Sequence, residues 1–244
     1  MNNINVTTLT TAQVAGLSTV VIRSFSTDQI AELSSEQLAV MTTAQVSVLT
    51  TGQLAAISTS AVVGLTSSQA GVFTTAQIAG LTTSQTSSLT STQVGGFSTS
   101  GVKALTTSQL GGITTDGVAG FTTSQVAVLS SAQISSLTTS QVDVLSSTQL
   151  GALSTTAIKG LTTAQIGVLT STDTVGFTTA EIAALSSTQL SGLATDGLAG
   201  LTTSQIRALS SAQIAGFNTT QLEALTSTQI GAVSTSGVKG LTSA

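Results

Sequence analysis

Residues 9–48 read LTTAQVAG LSTVVIRS FSTDQIAE LSSEQLAV MTTAQVSV, five consecutive octapeptides on one template. Cut every eight residues from Leu9, the chain keeps this register without an insertion as far as the partial unit LTSA that begins at Leu241. Position 1 is always apolar: mostly Leu, with Phe25, Phe73, Phe97, Phe121, Phe177, Phe217, Met41, Ile57, Ile113 and Val233 in its place. Position 2 is Ser or Thr except at Ala194 and Asn218, and position 3 is Ser or Thr throughout. Position 5 is usually Gln, position 6 is Val, Ile or Leu except at Ala70, Thr86 and Thr174, and position 8 is most often Gly or Ala. Two apolar positions held this tightly point to a packed, repeating core and not to a low-complexity tract.

The spacing limits what eight such residues form. Apolar residues recur at intervals of five and three. At about 100° per residue, each octad would rotate the stripe of one long helix by about 80°, so no face would stay apolar. In a flat strand, positions 1 and 6 would point to opposite faces. A corner between them would repair this, so a β-solenoid is the alternative fold. A short capped helix satisfies more of the template. With Ser/Thr 2 at the N-cap, Gln 5 falls at N3 and completes the capping box S/T-x-x-E/Q. Positions 1 and 6 then fall at N′ and N4, the two sites of the hydrophobic staple. Asn218 is as good an N-cap as Ser, and Glu181 is an accepted substitute for Gln at N3. Small residues at position 8 are expected to let the helix end before the next cap. The expected fold is all-α: a solenoid of very short capped helices, one per octapeptide, with residues 1–8 a partial unit and 9–244 one continuous solenoid. The hydroxyl at position 3 lies outside the box. It is expected either to face solvent at N1 or to form a ladder along the stack.

Composition removes whole classes of function. The 244 residues include no His, Cys, Tyr, Trp or Pro, so the usual proton shuttle, thiolate nucleophile and soft metal ligands are missing. Ser and Thr without a neighbouring base are not nucleophiles, and no enzyme is expected. Five Lys and Arg against nine Asp and Glu, a formal net charge of -4, do not make a phosphate-neutralising surface, so nucleic-acid binding is not expected. No cofactor or metal is expected. The densest acidic group is Asp28, Glu32 and Glu36, which reads as a solvated acidic end, with a corner intervening between Asp28 and Glu32. No apolar run is long enough for a membrane helix, and the start has no secretory signal of basic then apolar residues. A charged fraction of 6 % leaves little repulsion between molecules and favours self-association.

A longer period overlies the octad. Position 5 is not Gln at Val21, Ala61 and Gly101, which lie 40 residues apart, nor at Gly117, Ala157, Gly197 and Gly237, also 40 apart; Asp173 is the one outlier apart from the conservative Glu181. Arg23, Lys103, Lys159 and Lys239 occupy position 7 of such variant octads, while Arg207 does not. Duplication of a five-octad block accounts for this. Alternatively, if five octads complete whole turns of the solenoid, these cations form one row that meets Asp116 and Asp196 of a neighbouring molecule.

The octads resemble the L-[ST]-x-x-Q-[VI] repeats of very large Thr/Ser-rich secreted or surface proteins of proteobacteria, of the adhesin kind, over Leu9 to Ala244. The resemblance implies export without a cleaved signal and a place at the cell surface. The opening LTTAQV is also similar to the start of transcription-activator-like effector repeats, but only over one helix start, and the base-reading pair is missing. The resulting expectation is a structural protein that self-assembles, head to tail and laterally, into an extracellular filament, sheath or surface layer. The chain starts in a partial unit and stops within an octad, and no polar capping repeats flank it, so its ends are expected to stack. The alternative is an adhesin stalk or surface-binding module, ice binding included.

Overall fold

The structure, a computed structural model, describes residues 4–241. Twenty-eight α-helices and two short 3₁₀ helices follow one another, one per octad, with no strand among the described residues. The expected all-α fold is what forms, and the β-solenoid is not. The chain divides into two compact units, Met1–Gln125 and Val126–Ala244, where the sequence reading expects one continuous solenoid. Residues 242–244, the last part of the LTSA unit, lie outside the described residues.

Each helix begins as the template dictates. In the helix Thr43–Ser47, Thr42 is the N-cap, and its Oγ1 accepts from the Gln45 amide at 3.1 Å. Gln45 Oε1 in return accepts from the Thr42 amide at 2.7 Å. Asn218 caps the helix Thr219–Ala224 in the same way, whereas Ala194 provides no side-chain cap. Variant octads keep half of the box: Ser98 Oγ accepts from Gly101 N at 3.0 Å. Helices of four to seven residues have no independent stability. They persist because positions 1 and 6 are buried. Position 6 is at most 2 % exposed from Val14 through Ile214, the polar Thr86 and Thr174 included. Position 1 is 2 to 5 % exposed from Phe25 through Phe217. Each such side chain contributes about 1.5–3 kcal/mol, offset by the ordering of its octad.

Within each unit, every octad packs on the octad 24 residues further along. The helix Thr11–Ala15 meets Ser35–Val40, Thr75–Ala79 meets Thr99–Ala104, and Thr179–Ala184 meets Thr203–Ala208. The coil therefore has three octads per turn, and every third octad shares a column. Phe73 and Phe97 illustrate one column, with ring centroids 6.5 Å apart. The two polar exceptions at position 6 are satisfied across the turn: Thr86 Oγ1 donates to Thr83 O and Gln109 O, and Thr174 Oγ1 to Gly197 O at 2.8 Å.

The small residue at position 8 has a different role from the one expected. No described glycine has positive φ, so helix ending does not require it. Position 8 instead lies against position 3 of the octad one turn earlier, 29 residues back. A Cβ on Gly64 would sit 2.1 Å from Ser35 O, and one on Gly160 2.1 Å from Ser131 O. The two positions vary together. Inside each unit, Ser35, Ser67, Ser91, Ser131, Ser147, Ser171, Ser187 and Ser211 all stand against Gly at the matching position 8. Val, Ala or Ser at position 8 stands against Thr, as Val40 does against Thr11 and Ala104 against Thr75. Gly against Thr varies: a Cβ on Gly112 would be 3.7 Å from Thr83 O, but one on Gly192 would be 2.9 Å from Thr163 O. Hydroxyls at position 3 are thus neither purely solvent-facing nor a ladder. Their size sets how closely two turns approach.

Candidate assembly surfaces

The glutamine at position 5 carries more of the architecture than its capping box. Gln45 Nε2 donates to Val14 O at 2.9 Å and Leu17 O at 2.7 Å, carbonyls of the preceding turn. Gln165 Nε2 does the same to Ile134 O at 2.9 Å and Leu137 O at 2.6 Å. The acceptors lie 31 and 28 residues earlier, and this register recurs at Gln69, Gln93, Gln189 and Gln221. A helix end leaves its last carbonyls unpaired. Here the position-6 carbonyl already accepts from the next position-1 amide, as Val14 O does from Leu17 N at 3.2 Å, and a buried side chain from the next turn adds a second donor, while its other amide atom caps its own helix. Nothing in the capping rule requires an amide in place of a carboxylate. The preference for Gln over Glu at position 5 was the signal in the sequence that a donor was needed there.

Glu181 tests that logic by exception. It is 2 % exposed. One oxygen, Oε2, accepts from the Thr178 amide, and Glu181 N donates to Thr178 Oγ1 at 3.2 Å. The other, Oε1, is buried with no hydrogen-bond partner. Burial pushes this carboxyl above its ordinary value, against the lowering by the Thr178 hydroxyl and amide.

The candidate contact residues do not form one row. Forty residues are five octads, which with three octads per turn amount to one and two-thirds turns. In the first unit, the octads of Arg23 and Lys103 lie in different columns, and Asp116 shares the column of Arg23. In the second unit, Lys159, Lys239 and Asp196 occupy three different columns. The condition for a single aligned cation row is therefore not met, because five is not a multiple of three. Arg23, Lys103, Lys159 and Lys239 are all exposed, as is Asp116. Asp196 is engaged inside the unit: its Oδ2 accepts from Ser171 N at 2.9 Å, one turn away. The expected corner between Asp28 and Glu32 is also displaced. Glu32 N donates to Asp28 O at 3.3 Å, so the helical turn runs through Glu32 and the corner follows it. Glu36, at N2 of the helix Ser35–Val40, is held below its ordinary value by its own backbone amide and by the Ser34 and Ser35 hydroxyls.

Among the described residues, no group of three or more acidic, His or Cys side chains is placed to hold a metal ion. No described helix is long and apolar enough to cross a membrane. A groove of about 490 Å³ in the second unit is lined by Leu193, Ala194, Thr195 and residues 218–221, without a charged side chain.

Two position-6 side chains are uncovered. Ile230 and Val238 are 51 % and 47 % exposed, although they occupy position 6, which is buried elsewhere. In the first unit, Leu9 and Leu17 at position 1 are half-buried, and the exposed Gln13 uses only Oε1, in its own capping box.

Fold and side-chain ladder together define an all-α repeat protein whose turns are joined by buried glutamines. The ALTTAQ repeat matches residues 6–43, 20–51, 46–83, 118–155, 147–179 and 198–235, more than half of the chain, and the protein belongs to that repeat family. The motif name spans position 8 of one octad and positions 1 to 5 of the next, as in ALTTSQ at residues 104–109. Matches starting at 6 and 46, and at 118 and 198, are spaced by 40 and 80 residues, in step with the five-octad period. No curated protein matches the chain. Among solved structures, the leucine-rich repeat-containing protein LegL7 from Legionella pneumophila is similar at 12% identity and a TM-score of 0.25, over 89% of this chain and 79% of that one. A likeness that loose carries no argument.

Proposed function

We propose that this is a non-enzymatic structural protein that associates with copies of itself, in an extracellular filament, sheath or surface layer. The observation that supports this is the packing of octads on one template, turn upon turn, through the side chains at position 6. Inside each unit the same side chains are buried by the octads of the next turn. A second copy that set its own turns against exposed apolar side chains such as Ile230 and Val238 would continue that packing. Low charge across the chain removes most of the electrostatic opposition to such stacking. Placement outside the cell rests on the resemblance to Thr/Ser-rich surface repeats. Exposed hydroxyls at positions 2 to 4 favour a second reading, a stalk or surface-binding module. Cryo-electron microscopy of the purified chain near neutral pH separates the two. Regular filaments are expected. Isolated short rods at high concentration would overturn self-assembly and leave the stalk.

A further inference from the structure

Every ladder glutamine makes two kinds of bond at once: its oxygen accepts from its own N-cap, and its nitrogen donates to carbonyls 31 and 28 residues earlier. At Glu181 the first kind is present and the second is not. By the same register, the carbonyls facing Oε1 are those of Leu150 and Leu153. An ionised carboxylate there would set one more acceptor against acceptors, in a site from which water is excluded. A protonated carboxyl has one donor, enough for one of those two carbonyls.

We propose that Glu181 is a proton-operated joint between two turns of the second unit: with a proton on Oε1 it donates to one of the Leu150 and Leu153 carbonyls, where a ladder glutamine reaches both, and without that proton the two turns loosen. The charged residues on the octads packed against it are few. Lys159 lies on the octad one turn before, Arg207 on the octad one turn after, and Asp173 on the octad that precedes it in the chain. Lys159 and Arg207 are exposed at position 7. Asp173 caps its own helix through Thr170. None of the three is hydrogen-bonded to Glu181, whose partner is Thr178. The octad that follows, residues 185–192, carries no charge. No cation is therefore in place to hold the ionised form, and burial raises the carboxyl accordingly.

The sign of the effect follows. A carboxyl raised on folding stabilises fully below its unfolded value of 4.5, and that contribution is lost as pH rises through the folded value. Glu181→Gln supplies the donor at every pH. The experiment compares thermal unfolding of the full chain and of this variant from about pH 4 to about pH 8. At the acid end the gap between the two is expected to be smallest. Towards neutral pH the variant is expected to gain, by at least about 2–4 °C. A difference that does not change with pH would overturn the proposal. A second readout follows the protein as it stands: the ¹³C shift of the Glu181 carboxyl, with Glu181→Gln used for assignment. Titration above the other glutamates of the chain is expected, and titration together with them would overturn the joint.

Discussion

At the scale of the residue, position 5 and its partners decide the energetics. Ser130→Ala removes the side-chain half of a capping box and is expected to lower stability by about 1 kcal/mol. Leu129→Asp, at a side chain only 4 % exposed, buries an unpaired charge and is expected to unfold its neighbourhood. Thermal unfolding of the two variants distinguishes them, and equal effects would contradict the capped-helix packing. Gln165→Glu keeps the box but forfeits the bonds to Ile134 O and Leu137 O. At neutral pH it is expected to cost about 1–3 kcal/mol, measured by denaturant unfolding. The capping box could be read from the sequence because it joins residues three apart. The second bond could not, because it joins residues 28 and 31 apart, and the template does not state which octads meet.

For the single octad as an element, glycine has two distinct values. A Cβ on Gly64 would strike the Ser35 backbone, whereas one on Gly52 would meet nothing within 4 Å. Gly64→Ala is therefore expected to destabilise by more than about 1 kcal/mol, through forced separation of two turns. Gly52→Ala, inside the helix Thr51–Ala56, is expected to stabilise by about 0.5–1 kcal/mol. Chemical denaturation of both variants checks the contrast. The alternation of Ser with Thr at position 3 reads as neutral variation along the chain. Folding gives it a partner, since a serine there lies against a glycine one turn on and lets the backbones approach.

For the whole molecule, three octads per turn governs what a neighbour meets. Ile230→Asp places a charge on the uncovered apolar pair and is expected to lower association at a given concentration, by sedimentation velocity. Unchanged association would remove the proposed end contact. Reversing Lys103, Lys159 and Lys239 to Glu is expected to act on assembly no more strongly than the sum of the single changes, because Lys159 and Lys239 lie in different columns of the second unit. Cooperative loss in the triple variant would show that a shared contact does bring them together.

The sequence by itself determined the helix: its N-cap, its N3 glutamine, its staple residues and its length all follow from contacts within eight residues, where spacing alone fixes geometry. It also determined the apolar core, because positions 1 and 6 admit little else. Tertiary structure alone decided the number of octads per turn. That number depends on the angle at each corner, which no local rule supplies, and it settles which carbonyls each glutamine reaches. It also explains why Gly stands at position 8 against Ser, why the cations of the 40-residue period fall in different columns within each unit, and why one oxygen of the glutamate among the glutamines lacks a partner.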